Sequence, residues 1–230
     1  KHGFGGLVAR SPIAAKAFGD AGLPKAASGE EEGSQAPTGE RLRRLFEDLG
    51  PTWIKLGQIL SMRRDLLPPD WIASLERLQD ETPRVPFEAV REVVEAGLGR
   101  PLEELFASVE EEPIGTASIG QTHRARTIDG RDVVLKVQRP GIEGVMRGDL
   151  NLLYLSAKVL EQAIDEARLA DVSGIVAEFE AALLSELNFT TELSSLVAMR
   201  QLLDPDRAVT IPAAFPELSC RTVLCMEFFA

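Results

Sequence analysis

Cysteine is nearly absent: the 230 residues include two, Cys220 and Cys225. Two thiols make no disulfide framework and fit a reducing compartment. A single bridge between them stays open, beside the usual state of free cysteine as a small buried strand residue. Long apolar runs are missing as well. Nothing approaches the roughly 18 consecutive apolar residues of a membrane-spanning helix. Basic charge is in the minority, with 25 Lys and Arg against 36 Asp and Glu and a net charge of −11. That balance argues against nucleic acid as a partner, because its binding draws on clustered cations. Histidine is scarce too, at His2 and His123, and no internal repeat is visible.

What is present suffices for a core: 44% of residues are apolar, over a length that suits one large domain or two small ones. The chain begins with Lys and ends at "MEFFA", so it reads as part of a longer protein. For "FGGLVARSPIAAKAFG" near the start, a frayed terminus is favoured over a membrane-touching or presequence segment. Residues 24–39, "PKAASGEEEGSQAPTG", carry too little apolar surface to order themselves and read as a linker.

From Thr38 the period is helical, with Leu42, Leu45, Phe46 and Leu49 at i, i+3, i+4 and i+7. Gly50-Pro51 breaks that helix. Further helices are expected over "TWIKLGQILSMRRDLL", over "DWIASLERLQDE" with Asp70 as N-cap, over "FEAVREVVEAGLG", and briefly over "PLEELFAS". A short first strand is expected just before the turn at Gly115. "QTHRARTI" and "DVVLKVQ" then form an antiparallel hairpin about Asp129-Gly130. Two long helices follow, over "GIEGVMRGDLNLLYLSAKVLEQAI" and "VSGIVAEFEAALLSELNFTTELSSLVAMRQLL". Strands over "VTIPAAF" and "RTVLCMEFF" close the chain. Segregated rather than alternating elements indicate an α+β fold with an antiparallel sheet. The expected division is a flexible segment at 1–39, a helical part at 40–108 and a mixed part at 109–230.

Lys136 asks for an explanation. It shares a strand face with Val134 and Gln138, while Leu135 and Val137 take the other. A lysine there needs an anion, either a ligand phosphate or a carboxylate. Upstream lies Gly115-Thr116-Ala117-Ser118-Ile119-Gly120, a turn of small residues in place of G-x-G-x-x-G. The Cβ atoms of Thr and Ala narrow its backbone freedom relative to an all-glycine loop.

"PTWIKLGQILSMRRDLLP", "IGTASIGQTHRA", "VLKVQRPGI" and "SELNFTTE", in this order and spacing, resemble the UbiB family of atypical protein-kinase-like proteins. The resemblance runs from about Arg41 to Ala230. It implies a kinase-like N-lobe with a helical N-terminal extension, and ATP with Mg²⁺ as cofactors. The family's K-x-G-Q falls on Lys55, Leu56, Gly57 and Gln58. Its alanine-rich loop falls on Ile114 to Gln121, which implies that Gly115, Thr116, Ala117, Ser118, Ile119, Gly120 and Gln121 bind nucleotide. Val134 and Lys136 line the same site, and Lys136 pairs with the helix-C glutamate, Glu192, as the catalytic pair. Glu227 and Phe229 stand at the hinge, where backbone groups meet adenine. The E-x-D motif that contacts the K-x-G-Q lysine falls on Glu186 and Asn188. On one continuous helix, positions 186 and 192 point about 240° apart and so serve two different lysines.

Three departures matter. Gly115 and Thr116 stand where the family has alanines, which weakens the loop's implied inhibition of protein phosphorylation. Asn188 replaces the family Asp, so the contact to Lys55 is expected to rest on Glu186 alone and to hold the K-x-G-Q helix more loosely. No H-x-D and no D-F-G occurs. The catalytic Asp, its Asn and the metal-binding Asp are therefore expected in a C-lobe outside this chain, and no metal ligands are assigned within it.

The implied function is a phosphotransferase or ATPase, active only in the full-length protein, that supports ubiquinone or other isoprenoid-lipid metabolism. Its partners would be nucleotide, a lipid or quinone precursor and a membrane surface, in the cytoplasm or peripheral to a bacterial inner membrane. Two rivals stay open: a regulatory pseudokinase or scaffold whose pocket switches conformation, and a helical lipid-binding adaptor. Simpler roles are expected elsewhere. Asp149, Asn151 and the Glu run at 103–112 read as solvated, Arg63-Arg64-Asp65 as a cap or ion pair, Trp53 and Trp71 as packing, and His123 as a satisfied strand residue.

Overall fold

A computed structural model describes residues 37–78, 82–163, 171–202 and 210–229. The amphipathic start and the linker up to residue 36 lie outside them. The chain divides into two compact units, Lys1–Gln79 with Met146–Glu180, and Asp80–Val145 with Ala181–Ala230. That differs from a boundary at 109, because the apolar stripe Val90, Val94, Leu102 and Leu105 buries in the same core as the sheet.

The first unit is helical. α1 (Thr38–Leu49) and α2 (Pro51–Met62) meet at Gly50, whose φ of 101° suits glycine, and Pro51 opens the second helix at N1. α3 (Pro69–Leu75) is shorter than expected and begins at Pro69, so Asp70 lies inside its first turn rather than at the cap. Phe46, Ile54, Leu75 and Leu78 form the core, with Trp53 packed on Phe46 at 6.0 Å between ring centroids. α6 (Ile142–Ala163) buries Met146, Leu150, Leu153 and Ala157 on one face, spaced by fours and threes. Asp149 is not simply solvated: it accepts a 2.5 Å hydrogen bond from the buried Thr52 hydroxyl. Arg63 pairs with Asp65 at 3.0 Å, the ion pair expected there. Arg43, with Arg44 and Arg77, holds the Glu40 carboxyl down to about 2.

The second unit is a sheet with helices. α4 (Phe87–Leu98) and α5 (Leu102–Leu105) precede β1 (Phe106–Val109) and β2 (Gly115–Thr116). The helix expected over "PLEELFAS" therefore stops at Leu105. Phe106 is buried, and its strand pairs antiparallel with β3 (Gly120–Thr127), a tertiary contact that overrides local helix preference. β3 and β4 (Asp132–Gln138) form the expected hairpin, with Gly130 at φ 90° in its turn. β5 (Val223–Glu227) completes the order β1-β3-β4-β5, with β2 paired to β3. "VTIPAAF" gives only a bridge, Ala214 to Met226, in the described part. Pro212 there has no N–H to offer a ladder. Cys225 is buried and Cys220 half-buried; both are free, and burial pushes the Cys225 thiol up to about 12.

One expectation fails in an informative place. The long helix expected from residue 172 is two helices, α7 (Val172–Glu186) and α8 (Phe189–Leu202), broken at Leu187-Asn188.

Candidate functional site

On β4, Val133, Leu135 and Val137 enter the core, so Val134, Lys136 and Gln138 take the opposite face. Lys136 Nζ donates to Glu192 Oε2 at 2.6 Å and stands 4.8 Å from the Phe189 ring centroid. Their side chains are 28% and 39% exposed, so solvent still reaches the pair and a ligand can too. Glu192 sits in the first turn of α8, where the helix N-terminus favours a carboxylate.

The helix break sets that position. Asn188 Oδ1 accepts from the Thr190 N–H at 3.2 Å and from its hydroxyl at 2.7 Å, which is an N-cap for α8. Phe189 N–H donates to Arg221 O at 3.0 Å, and Gln138 Nε2 donates to Leu187 O at 2.5 Å. Positions 186 and 192 are therefore not turned by about 240° on one helix, since Glu186 ends α7 and Glu192 lies in the first turn of α8. Asp caps a helix as well as Asn does. In the full-length protein, Asn188→Asp is expected to change stability by less than about 0.5 kcal/mol, and Asn188→Ala to cost about 1 kcal/mol. Urea unfolding measures both, and equal losses would remove the capping role.

The small-residue loop faces Lys136. Gly115, Thr116, Ala117, Ile119, Gly120, Thr122 and Lys136 line a cleft of about 180 Å³. Gly120 is required sterically: a Cβ there would lie 2.6 Å from Val137 O on the paired strand. Within the loop, Ala117 N–H donates to Gly120 O at 2.8 Å, and Arg139 N–H donates to Ile119 O at 2.9 Å. Ser118 is buried, and its hydroxyl has no hydrogen-bond partner among the described residues. Gln121 is also buried, with its amide paired to both backbone groups of Val85 and touching His123 Nε2 at 2.9 Å. His123 Nδ1 meets Glu110 O at 2.8 Å, and burial pushes its pKa below the usual imidazole range.

Val134 is buried opposite Met226. At the end of β5, Glu227 N–H donates to Ala213 O at 2.7 Å and Phe229 is exposed. Lys55, Gly57 and Gln58 lie on α2 in the first unit, and Glu186 closes α7 in the second. Gly57 has a packing reason to lack a side chain, since a Cβ would lie 2.7 Å from Phe46 Cδ2.

The structure thus brings Lys136, Glu192 and the loop together. It adds residues that motif reading missed: Thr122, Phe189, Gln138, Arg139 and Thr82. Thr122 was within reach, because a hairpin folded about Asp129 places it directly opposite Lys136. Phe189, Gln138 and Arg139 lie within the quoted motifs with no role assigned to them, and Thr82 lies outside. Gln138, Arg139 and Thr82 donate to backbone carbonyls distant in sequence, Leu187 O for the first and Ala117 O for the other two.

Residues 77–230 match the family described as the ABC1 atypical kinase-like domain. The "probable protein kinase UbiB" of Marinobacter nauticus is 41% identical over 189 residues, 82% of this chain and 35% of that protein. Its namesake from Vibrio parahaemolyticus is 39% identical over 194 residues, 84% of this chain and 36% of that protein. The chain therefore spans about a third of the length of these curated relatives. Among solved structures, Rv3197 of Mycobacterium tuberculosis, determined in complex with erythromycin, matches with a TM-score of 0.58 at 28% identity. That match covers 81% of this chain and 46% of Rv3197.

Proposed function

The chain belongs to the ABC1 atypical kinase-like family, and from that premise we propose that it is the ATP-binding N-lobe of a UbiB-type kinase or ATPase. The observation that carries this reading is the Lys136 ammonium, held 2.6 Å from Glu192 on the wall of a loop-covered cleft. Kinases use such a pair to fix a lysine against the nucleotide phosphates. ATP would supply the transferable phosphoryl group, with Mg²⁺ to balance its charge. The residues fit the nucleotide: a tethered cation and a loop of small residues. At about 180 Å³ the cleft is below the roughly 300–1,000 Å³ of complete ligand sites, which suits one wall of a larger pocket. The Glu227 N–H is engaged within the fold, so Glu227 would meet a purine edge through its carbonyl, beside Phe229. Magnesium ligands would come from the part of the relatives' length that this chain does not span, and the role would lie in ubiquinone or related isoprenoid-lipid metabolism.

The test is thermal unfolding of the full-length protein with and without MgATP. A hundredfold excess over Kd contributes about 2.7 kcal/mol to the folded state, which raises the unfolding temperature by several degrees. No shift at millimolar MgATP would reject the reading.

A further inference from the structure

The sheet face that carries Lys136 continues away from the small-residue loop. Thr122 stands opposite Lys136 and lines the cleft. Two residues further along β3, Arg124 stands opposite Val134. His123 and Ala125, on either side of it, are both buried, so the pleat turns Arg124 to the cleft face with Thr122.

Arg124 reaches across the sheet. β4 separates β3 from β5, and Phe228, just beyond β5, still donates its N–H to Asp132 O of β4 at 3.2 Å. Two strand spacings are about 9.6 Å. The Arg124 guanidinium carbon nevertheless lies over the Phe228 ring, 4.4 Å from its centroid. The two side chains therefore meet over β4, alongside Val134 and Asp132.

Among the described residues this guanidinium makes no hydrogen bond and no ion pair. Other arginines of the same hairpin are engaged: Arg126 Nε donates to Gly130 O at 3.2 Å, and Arg131 pairs with Asp129 at 2.8 Å. Arg124 is half-buried, and a cation partly withdrawn from water without an anion is costly. A flat guanidinium has two faces. Phe228 takes one, and the surface that Arg124 still shows to solvent admits a second π-system.

The ATP-binding reading places a purine beside Glu227, whose neighbour Met226 pairs with Val134. The loop stands at the opposite end, where Gly120 pairs with Gln138. A nucleotide held at Lys136 by its phosphates thus carries its base toward Val134 and the Arg124–Phe228 stack. We infer that Arg124 is a base-contact residue, its guanidinium stacked between Phe228 and the purine. This rests on the ATP-binding reading above and adds the side chain that recognises the nucleobase as distinct from the phosphates.

The test is calorimetric titration of full-length protein with ATP, ADP and adenosine in the presence of Mg²⁺, as wild type, Arg124→Leu and Arg124→Lys. Arg124→Leu keeps an apolar stem on the sheet and removes the guanidinium. Arg124→Lys keeps the charge and loses the plane. Both are expected to weaken all three ligands by the same factor, about tenfold, the scale of one stacked base. Melting curves without ligand should stay near that of the wild type. Unchanged affinities would overturn the inference. So would a loss that grows with the number of phosphates, or full rescue by Arg124→Lys, since either makes Arg124 a point charge for phosphate. Collapsed ligand-free melting curves in both variants would make it a structural residue instead. Wild type that binds ATP but no adenosine at millimolar concentration would leave the base end without a role and overturn the inference alone. Wild type that binds none of the three would overturn the ATP reading with it.

Discussion

Full-length protein carrying Lys136→Ala is expected to lose ATP turnover by about 100-fold or more, with its unfolding temperature in the absence of nucleotide nearly unchanged. The two halves of this result have different causes. A charge fixed where phosphate oxygens gather is worth about two to three orders of magnitude in rate when removed. The same charge contributes little to folding, because the pair it forms with Glu192 is 28% and 39% exposed. Ion pairs that solvent reaches are worth about 0–1 kcal/mol. Glu192, left alone, still has water to solvate it. Glu192→Gln keeps the ammonium but slackens its tether, so a smaller loss of about tenfold is expected, the low end for a positioned charge. Single-turnover phosphate release, paired with a melting curve for each variant, separates the effects. Full turnover in Lys136→Ala would end the kinase-like assignment of the site, and a collapsed melting curve would make the lysine structural.

Gly120→Ala is expected to do the reverse, costing stability before it costs chemistry. The new Cβ would sit 2.6 Å from Val137 O, and the neighbour is backbone in the paired strand rather than a flexible side-chain end. Relief requires β3 and β4 to part beside Lys136, and overpacking of this kind costs about 1–3 kcal/mol. Gly115, in the same loop, has open space around its Cβ position. Gly115→Ala is therefore the matched control and should change stability by less than about 0.5 kcal/mol. Denaturant midpoints of the two variants in the full-length protein decide the matter. Equal midpoints would mean that the paired strands take up the added Cβ without cost, and would overturn the prediction.

The residues themselves singled out Lys136 and the turn of small residues, the resemblance to the UbiB family supplied Glu192, and the Asp129-Gly130 turn carried the hairpin register. Two of the misread elements show the physical reasons. "FASV" has little intrinsic claim to be a strand, and it becomes one because Phe106 buries against the sheet and β3 offers hydrogen bonds. The break at Leu187-Asn188 hides within an unbroken apolar rhythm. Its one local signal, an Asn followed by two Thr, is weak without the Gln138 and Arg221 contacts that complete it. Fasteners such as Arg139 and Thr82 were illegible because their partners are carbonyl groups, which every residue has.

The bonds at the start of α8 seat the helix at the end beside the ion pair. Glu192 lies three residues from Phe189, about 4.5 Å along the axis, whereas Leu202 lies about 20 Å away. Arg200, beside the exposed Met199, donates to Ile211 O at 2.8 Å and stands 3.6 Å from Glu227, so the helix is held at both ends and the ammonium keeps its counter-charge.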